Sequence, residues 1–242
     1  MKLSHLASAL LASSMLFTAV SANAADPITV SGSAAFTSDY LFRGVSQTSN
    51  NAAVQAAMTF THESGVYASL WGSSIASSAG GLELDTLFGY GGKAGEVAYD
   101  VGFMRYNYPG LNDNTAAFEA DYNEIYASIS TMGAKVGFNY SPDYFFESDK
   151  FMYLYASYGT EVAGVGLSAS VGINKFDSAM MMSQALGTTG SDDSYMDYKV
   201  AASKAIGGVT IEGAYIGSDI DDMECGAGLC EGRFVLTATK GF

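Results

Sequence analysis

RFVLTATKGF (residues 233–242) alternates: Phe234, Leu236, Ala238 and Phe242 fall on one face of an extended chain, and Arg233, Val235, Thr237 and Thr239 on the other. Lys240 shares the apolar face, where its aliphatic stem can snorkel to an interface. The stretch closes on an aromatic carboxylate, and the opposite end of the chain has the make-up of an export leader. An amphipathic last strand behind an export signal is what a bacterial outer-membrane β-barrel carries. The fold expected is therefore all-β: an antiparallel transmembrane barrel over residues 25–242.

The leader is read as residues 1–24. Lys2 supplies the positive start, Leu6 to Val20 the apolar stretch, and Ala22-Asn23-Ala24 the small-x-small cleavage site. A retained transmembrane helix needs about 20 apolar residues, and Ser13, Ser14 and Thr18 interrupt this run. Loss of Lys2 leaves ten basic residues against 25 acidic ones, a net charge of −15. That balance excludes nucleic acid as a partner, which would need a basic stripe. Sixteen tyrosines, 14 phenylalanines, 28 glycines and only three prolines favour strands. A charged fraction of 15% is low for a soluble acidic domain and suits an apolar outer belt with interfacial aromatics.

In lipid every backbone N–H and C=O must be paired within the protein, so strands can span only as a closed barrel. Period-two segments recur along the chain. In 52–61, Val54, Ala56, Met58 and Phe60 oppose Gln55, Thr59 and Thr61. In 165–174, Val165, Leu167, Ala169, Val171 and Ile173 oppose Gly166, Ser168, Ser170, Gly172 and Asn174. Twelve strands are expected, at 28–37, 51–61, 66–75, 82–91, 96–107, 118–130, 134–141, 149–160, 164–175, 194–205, 208–218 and 232–242. Five short connections alternate with six longer ones at 38–50, 76–81, 108–117, 142–148, 176–193 and 219–231, the rhythm of twelve strands with both termini in the periplasm. The faces near 118–124 and 149–158 are ambiguous, because Tyr122, Tyr126, Phe151, Met152, Tyr153 and Leu154 make both apolar. A soluble sandwich also has short alternating strands but requires neither Phe242 nor this loop rhythm.

The stretches SDYLFRGVSQT (38–48), GVYASLWGSS (65–74), FGY (88–90), Tyr108 to Gly110, Glu124-Ile125-Tyr126 and YSPDY (140–144), with the final strand, resemble the TorF-type porin family of small outer-membrane proteins. The resemblance spans nearly the whole chain after the leader. It implies barrel topology and diffusion or uptake across the outer membrane, with no settled cargo.

Positions opposite the apolar faces should line the lumen: Glu83, Asp85, Asp100, Lys135, Asn139, Asp197, Lys199, Glu212 and Arg233. A mid-depth charge on the lipid face costs about 2–4 kcal/mol for Lys or Arg, so such charges belong inside. The set fits two states of the lumen, a hydrated cation-favouring channel or an ion-pair network that plugs a narrow barrel. Asp39, Arg43 and Gly44 form the most distinctive local motif. The general behaviour of turn glycines favours a structural corner there; an inward fold would instead set Arg43 against Glu83 or Asp85 as a constriction.

Cys225 and Cys230, close together in an exported chain, are expected to form a disulfide rather than a metal site with Glu224 and Glu231. Asp113, Asp143, Asp149, Asp177, Asp192, Asp193, Asp219, Asp221, Asp222 and Glu224 make the loop face anionic. They read as solvated charge, with cation bridging to lipopolysaccharide as the other option. Met180-Met181-Met182 reads as an adaptable apolar loop rather than a copper site.

The function expected is passive: a porin-like channel for small hydrophilic solutes, preferring cations, with no cofactor and no metal. A non-conducting structural or adhesive barrel is the alternative. An enzyme is disfavoured because His62 is the one histidine after the leader and falls beside a short turn. Partners expected are outer-membrane lipid and lipopolysaccharide, small solutes, and the barrel-assembly machinery, which reads the last strand and Phe242.

Overall fold

The computed structural model describes residues 27–111 and 118–242; the leader 1–24 and Asp113 lie outside the described residues. Twelve strands close a barrel: β1 (Ile28–Thr37), β4 (Ala53–His62), β5 (Val66–Ser74), β6 (Leu82–Ala94), β7 (Val97–Asn107), β8 (Tyr122–Thr131), β9 (Ala134–Ser141), β10 (Phe151–Val162), β11 (Val165–Phe176), β12 (Ser194–Ile206), β13 (Val209–Ser218) and β14 (Arg233–Gly241). Two further strands, β2 (Leu41–Phe42) and β3 (Val45–Ser46), form a separate hairpin. Each wall strand pairs antiparallel with its neighbours along the chain, and β1 closes the ring by pairing β4 on one edge and β14 on the other. At the seam Ser33 faces Gly241, and the backbone groups of Phe242 and Gly32 exchange hydrogen bonds of 2.8 and 3.0 Å. Closure leaves no unpaired edge, which is what a hydrocarbon surround demands.

The alternation sorts as expected. Ile28, Val30, Val54, Phe60, Leu70, Phe88, Val101, Ile125, Leu154, Ile173, Phe234 and Leu236 are exposed on the outer wall. Thr59, Ser69, Ser128, Asn174, Thr237 and Thr239 are buried inside. Three short connections are two-residue turns with φ positive at both positions: Met132-Gly133, Ala163-Gly164 and Gly207-Gly208. Such turns match the right-handed strand twist and give tight hairpins. All short turns lie at the end where β1 begins and β14 finishes.

The long-loop end departs from a plain strand-and-loop reading. Expected strands from 118 and 149 begin only at Tyr122 and Phe151. Asp121 is taken up by the Tyr108 N–H at 2.7 Å and by Arg105 at 3.1 Å, and Phe146, Glu147 and Asp149 adopt positive φ, so neither stretch can continue a ladder. Loop 176–193 contains a helix, α1 (Ala179–Leu186), where an all-β chain was expected. The Ser178 side chain accepts from the Met181 N–H, and Gly187 ends the helix at φ 70°. Met182 is buried beneath it, as an apolar cap over the mouth requires.

Glycine and tyrosine are abundant for a shared reason. On the inner wall Tyr67 lies opposite Gly89, Tyr126 opposite Gly102, and Tyr155 opposite Gly137. A Cβ at any of these glycines would run into the facing ring, so each tyrosine lies flat against the wall in a slot that only glycine leaves open. Flat rings keep the lumen clear. Gly137→Val should therefore lift Tyr155 and cost about 1–3 kcal/mol, read as a lower urea midpoint for the refolded barrel. Gly213→Ala, where a Cβ meets nothing within 4 Å, should leave the midpoint unchanged.

Candidate functional site: a plugged lumen with an inner vestibule

The segment after β1 does not stay outside the barrel. It turns back as the β2–β3 hairpin, with Phe42 paired to Val45 and Leu41 to Ser46. Arg43 and Gly44 form the two-residue tip at φ 49° and 80°. A positive φ at both tip positions makes the hairpin tight, and Gly44 has a second reason to lack a side chain. A Cβ there would sit 2.6 Å from the Gly217 carbonyl oxygen on β13.

Asp39 holds the base of the hairpin. Its Oδ1 accepts from Ser46 Oγ at 2.7 Å and Thr48 Oγ1 at 2.5 Å, and its Oδ2 from Arg233 Nη1 at 3.0 Å. Arg233 also donates to Asn50 and to the Gly228 carbonyl, tying β14, the hairpin and the last long loop together. Cys225 and Cys230 form a disulfide within that loop, and the Ser46 N–H donates to Leu229 O at 2.9 Å.

The tip reaches across the barrel. Arg43 Nη1 and Nη2 donate to Glu124 Oε1 and Oε2 at 2.8 and 2.9 Å, a bidentate fork to β8, five strands round the wall from β1. Both side chains are buried, at 5% and 0% exposure. Glu124 Oε2 accepts further from Asn139 Nδ2 at 2.8 Å and from the Tyr106 hydroxyl at 3.3 Å. The guanidinium lies 4.5 to 4.8 Å from the ring centres of Phe42, Phe151 and Tyr153. This placement corrects the favoured reading of a plain structural corner, since the segment folds inward as a hairpin, and it corrects the alternative as well, since Arg43 meets Glu124 on the far wall and not Glu83 or Asp85.

On the long-loop side of this pair aromatic side chains pack into the lumen. Tyr106 and Tyr122 stack at 4.3 Å, Tyr144 and Phe151 at 4.1 Å, and Tyr40 meets Trp71 edge-on at 5.4 Å. Glu83 is buried here, its Oε1 accepting from the Tyr108 hydroxyl at 3.0 Å, with Asp85 buried two residues along the same face of β6. Among the described residues neither carboxylate belongs to an ion pair. Burial pushes the loop hydroxyl of Tyr144 up to about 12, so it stays protonated.

On the short-turn side lies a cavity of about 430 Å³, floored by the hairpin and walled by strands from β4 to β13. Asp100, Lys135, Asn139, Asp197 and Lys199 all face it, among Tyr67, Tyr126, Tyr153 and Tyr155. Lys199 is bound to Glu212 at 2.6 Å. Asp197 accepts from Asn174 at 2.8 Å and from Tyr153 at 3.2 Å. His62 lies apart from all of this, its Nδ1 2.8 Å from Ser64 Oγ in an exposed turn. Among the described residues no three His, Cys, Asp or Glu side chains group as metal ligands.

Glu124 was the residue that pattern reading overlooked. On β8 it alternates with Tyr122 and Tyr126 on the inner face, and those aromatics disguised the polar side; the glutamate between them was the available signal.

Removing one partner of a buried ion pair leaves an uncompensated charge, at a cost of about 3–5 kcal/mol. Arg43→Ala and Glu124→Ala should each lower stability by that order in urea unfolding and expose the segment 38–52 to proteolysis. Arg43→Met with Glu124→Leu should recover much of the loss, and a double-mutant cycle reads the coupling.

In fold the barrel is similar to the KdgM porin, at a TM-score of 0.52 and 9% identity over 88% of this chain and 99% of that one. It is also similar to the NanC porin, at 0.50 and 8% identity over 87% and 97%. Among curated proteins none matches the sequence. The apolar outer wall and the porin-like closed sheet place the protein in the bacterial outer membrane. A family model for bacterial proteins of unknown function, Gcw_chp, matches residues 21–241, and the chain belongs to that family.

Proposed function

We propose that the protein is an outer-membrane channel for small hydrophilic solutes, entered from a vestibule at the short-turn end and held closed by the β2–β3 hairpin. The observation that carries this reading is the division of the lumen at Arg43–Glu124. A cavity of about 430 Å³ lined by charges, hydroxyls and rings lies on the short-turn side of the hairpin, and the hairpin with its aromatic packing stands between it and the loops. A barrel built solely as scaffold has no need of an interior cavity beneath a separately tethered hairpin. The resemblance to TorF-type porins and the fold likeness to KdgM and NanC support the same reading.

Transport here is passive, with no covalent step and no cofactor: cross-section and wall charge select the solute. Asp39, Glu83, Asp85, Asp100, Glu124, Asp197 and Glu212 face inward against Arg43, Lys135, Lys199 and Arg233, a carboxylate excess that favours cations. Glu83 and Asp85 are the acidic groups a cation would meet once the hairpin moves. Both termini and the short turns face the periplasm in this reading, Phe242 anchors the periplasmic interface for the assembly machinery, the loops face lipopolysaccharide, and residues 1–24 are removed on export. A structural barrel is the second reading, favoured by the solid packing of the outer half.

Purified protein in planar bilayers tests both. Glu83→Gln with Asp85→Asn should move the reversal potential toward the anion side, and more weakly at 1 M than at 0.1 M salt, where the Debye length is about 3 rather than about 10 Å. Arg43→Ala should raise the open fraction. Wild type and Arg43→Ala that both insert and both stay silent would replace the channel with the structural barrel. In a Cys225→Ala, Cys230→Ala background, an impermeant maleimide on intact cells should label cysteine at Ser191 and not at Met132; the reverse inverts the orientation.

A further inference from the structure

We infer that the vestibule is a binding site for a small zwitterion of the amino-acid class, its ammonium directed to Asp100 and its carboxylate to Lys135. The inference rests on the channel reading and deepens it by naming what the cavity retains. Of the charged groups that face the cavity, most are already answered within the protein. Arg43 is forked to Glu124, Lys199 is paired with Glu212, and Asp197 receives Asn174 and Tyr153. Two remain. Asp100 on β7 accepts one hydrogen bond, from the Tyr67 hydroxyl at 2.9 Å. Lys135 on β9 holds its ammonium 5.8 Å from the Tyr155 ring centre, and among the described residues it forms no ion pair.

The register sets the spacing of the two. Asp100 pairs with Ser128 of β8, whereas Lys135 pairs with Ser130. Their backbones are thus two strand spacings apart, about 10 Å, and displaced by two residues, about 7 Å, along the strands. Each faces the cavity from its own strand without forming an ion pair with the other, and a ligand carrying both charges would lie between them. The remaining wall mixes Leu87, Met104 and Ile216 and the flat tyrosines with the hydroxyls of Thr59, Ser69 and Ser128. A small apolar or aromatic side chain fits that surface, whereas a second charge would find no partner.

Calorimetric titration of the full-length barrel, refolded in detergent, reads binding without any need for conduction. L-phenylalanine is the probe, with 2-phenylethylamine and 3-phenylpropionate as its one-charge counterparts. Phenylalanine should bind the wild type, and Asp100→Asn and Lys135→Gln should each weaken it by about tenfold, the 1.4 kcal/mol scale of one charge-assisted contact. The amine should be sensitive to Asp100→Asn alone and the acid to Lys135→Gln alone. Heat-modifiable migration confirms that each variant has folded. Absence of heat with phenylalanine on folded wild type overturns the inference, as does equal binding of all three probes to wild type and both variants. Either result leaves the bilayer conductance, and so the channel reading, to stand or fall separately.

Discussion

A salt bridge between residues 81 positions apart, Arg43 to Glu124, sets what kind of barrel this is. Wall closure satisfies the backbone but leaves a lumen, and the bidentate fork carries a hairpin across it to the opposite side. Once the tip is fixed, aromatic side chains pack into the space above it, and the space below holds the cavity. The rings around the guanidinium shield a charge that would be costly to bury alone, while the four hydrogen bonds on Glu124 satisfy the carboxylate. Neither residue would be tolerable there without the other.

The two ends of the barrel follow from that division. At the short-turn end, tight turns with positive φ and tyrosines lying in glycine slots keep the wall thin and the bore clear. At the long-loop end the loops are not a fringe but a packed layer, with α1, the disulfide loop and the Tyr144 turn contributing to one core. The long loops are anionic, yet the inward-facing charge of the wall sits mostly in defined contacts. Lys199–Glu212 and Asp39–Arg233 stiffen the wall and the hairpin base, so much of the lumen charge serves structure. The long-loop half of the lumen is packed with side chains, and the short-turn half holds the cavity.

What sequence determined was local. Period-two alternation, the positions of Gly-bearing short turns and the apolar last strand assigned twelve strands, their inward and outward faces and the alternation of connection lengths, because each depends only on neighbours along the chain and on the demand that lipid makes of a sheet. The cysteine pair was legible from compartment and spacing. α1 was also within reach, since Ser178 and Gly187 bracket it as a cap and a stop, but a barrel assumption passed over them. Tertiary structure alone decided the interior. Whether Arg43 meets Glu83, Asp85 or Glu124 depends on how far a hairpin reaches across a bore whose width is set by closure. Tyr122 and Tyr126 obscured the polar face of β8 because a plugged lumen is lined with rings rather than water. No local pattern encodes that distance, and it is what separates an open tube from a vestibule beneath a plug.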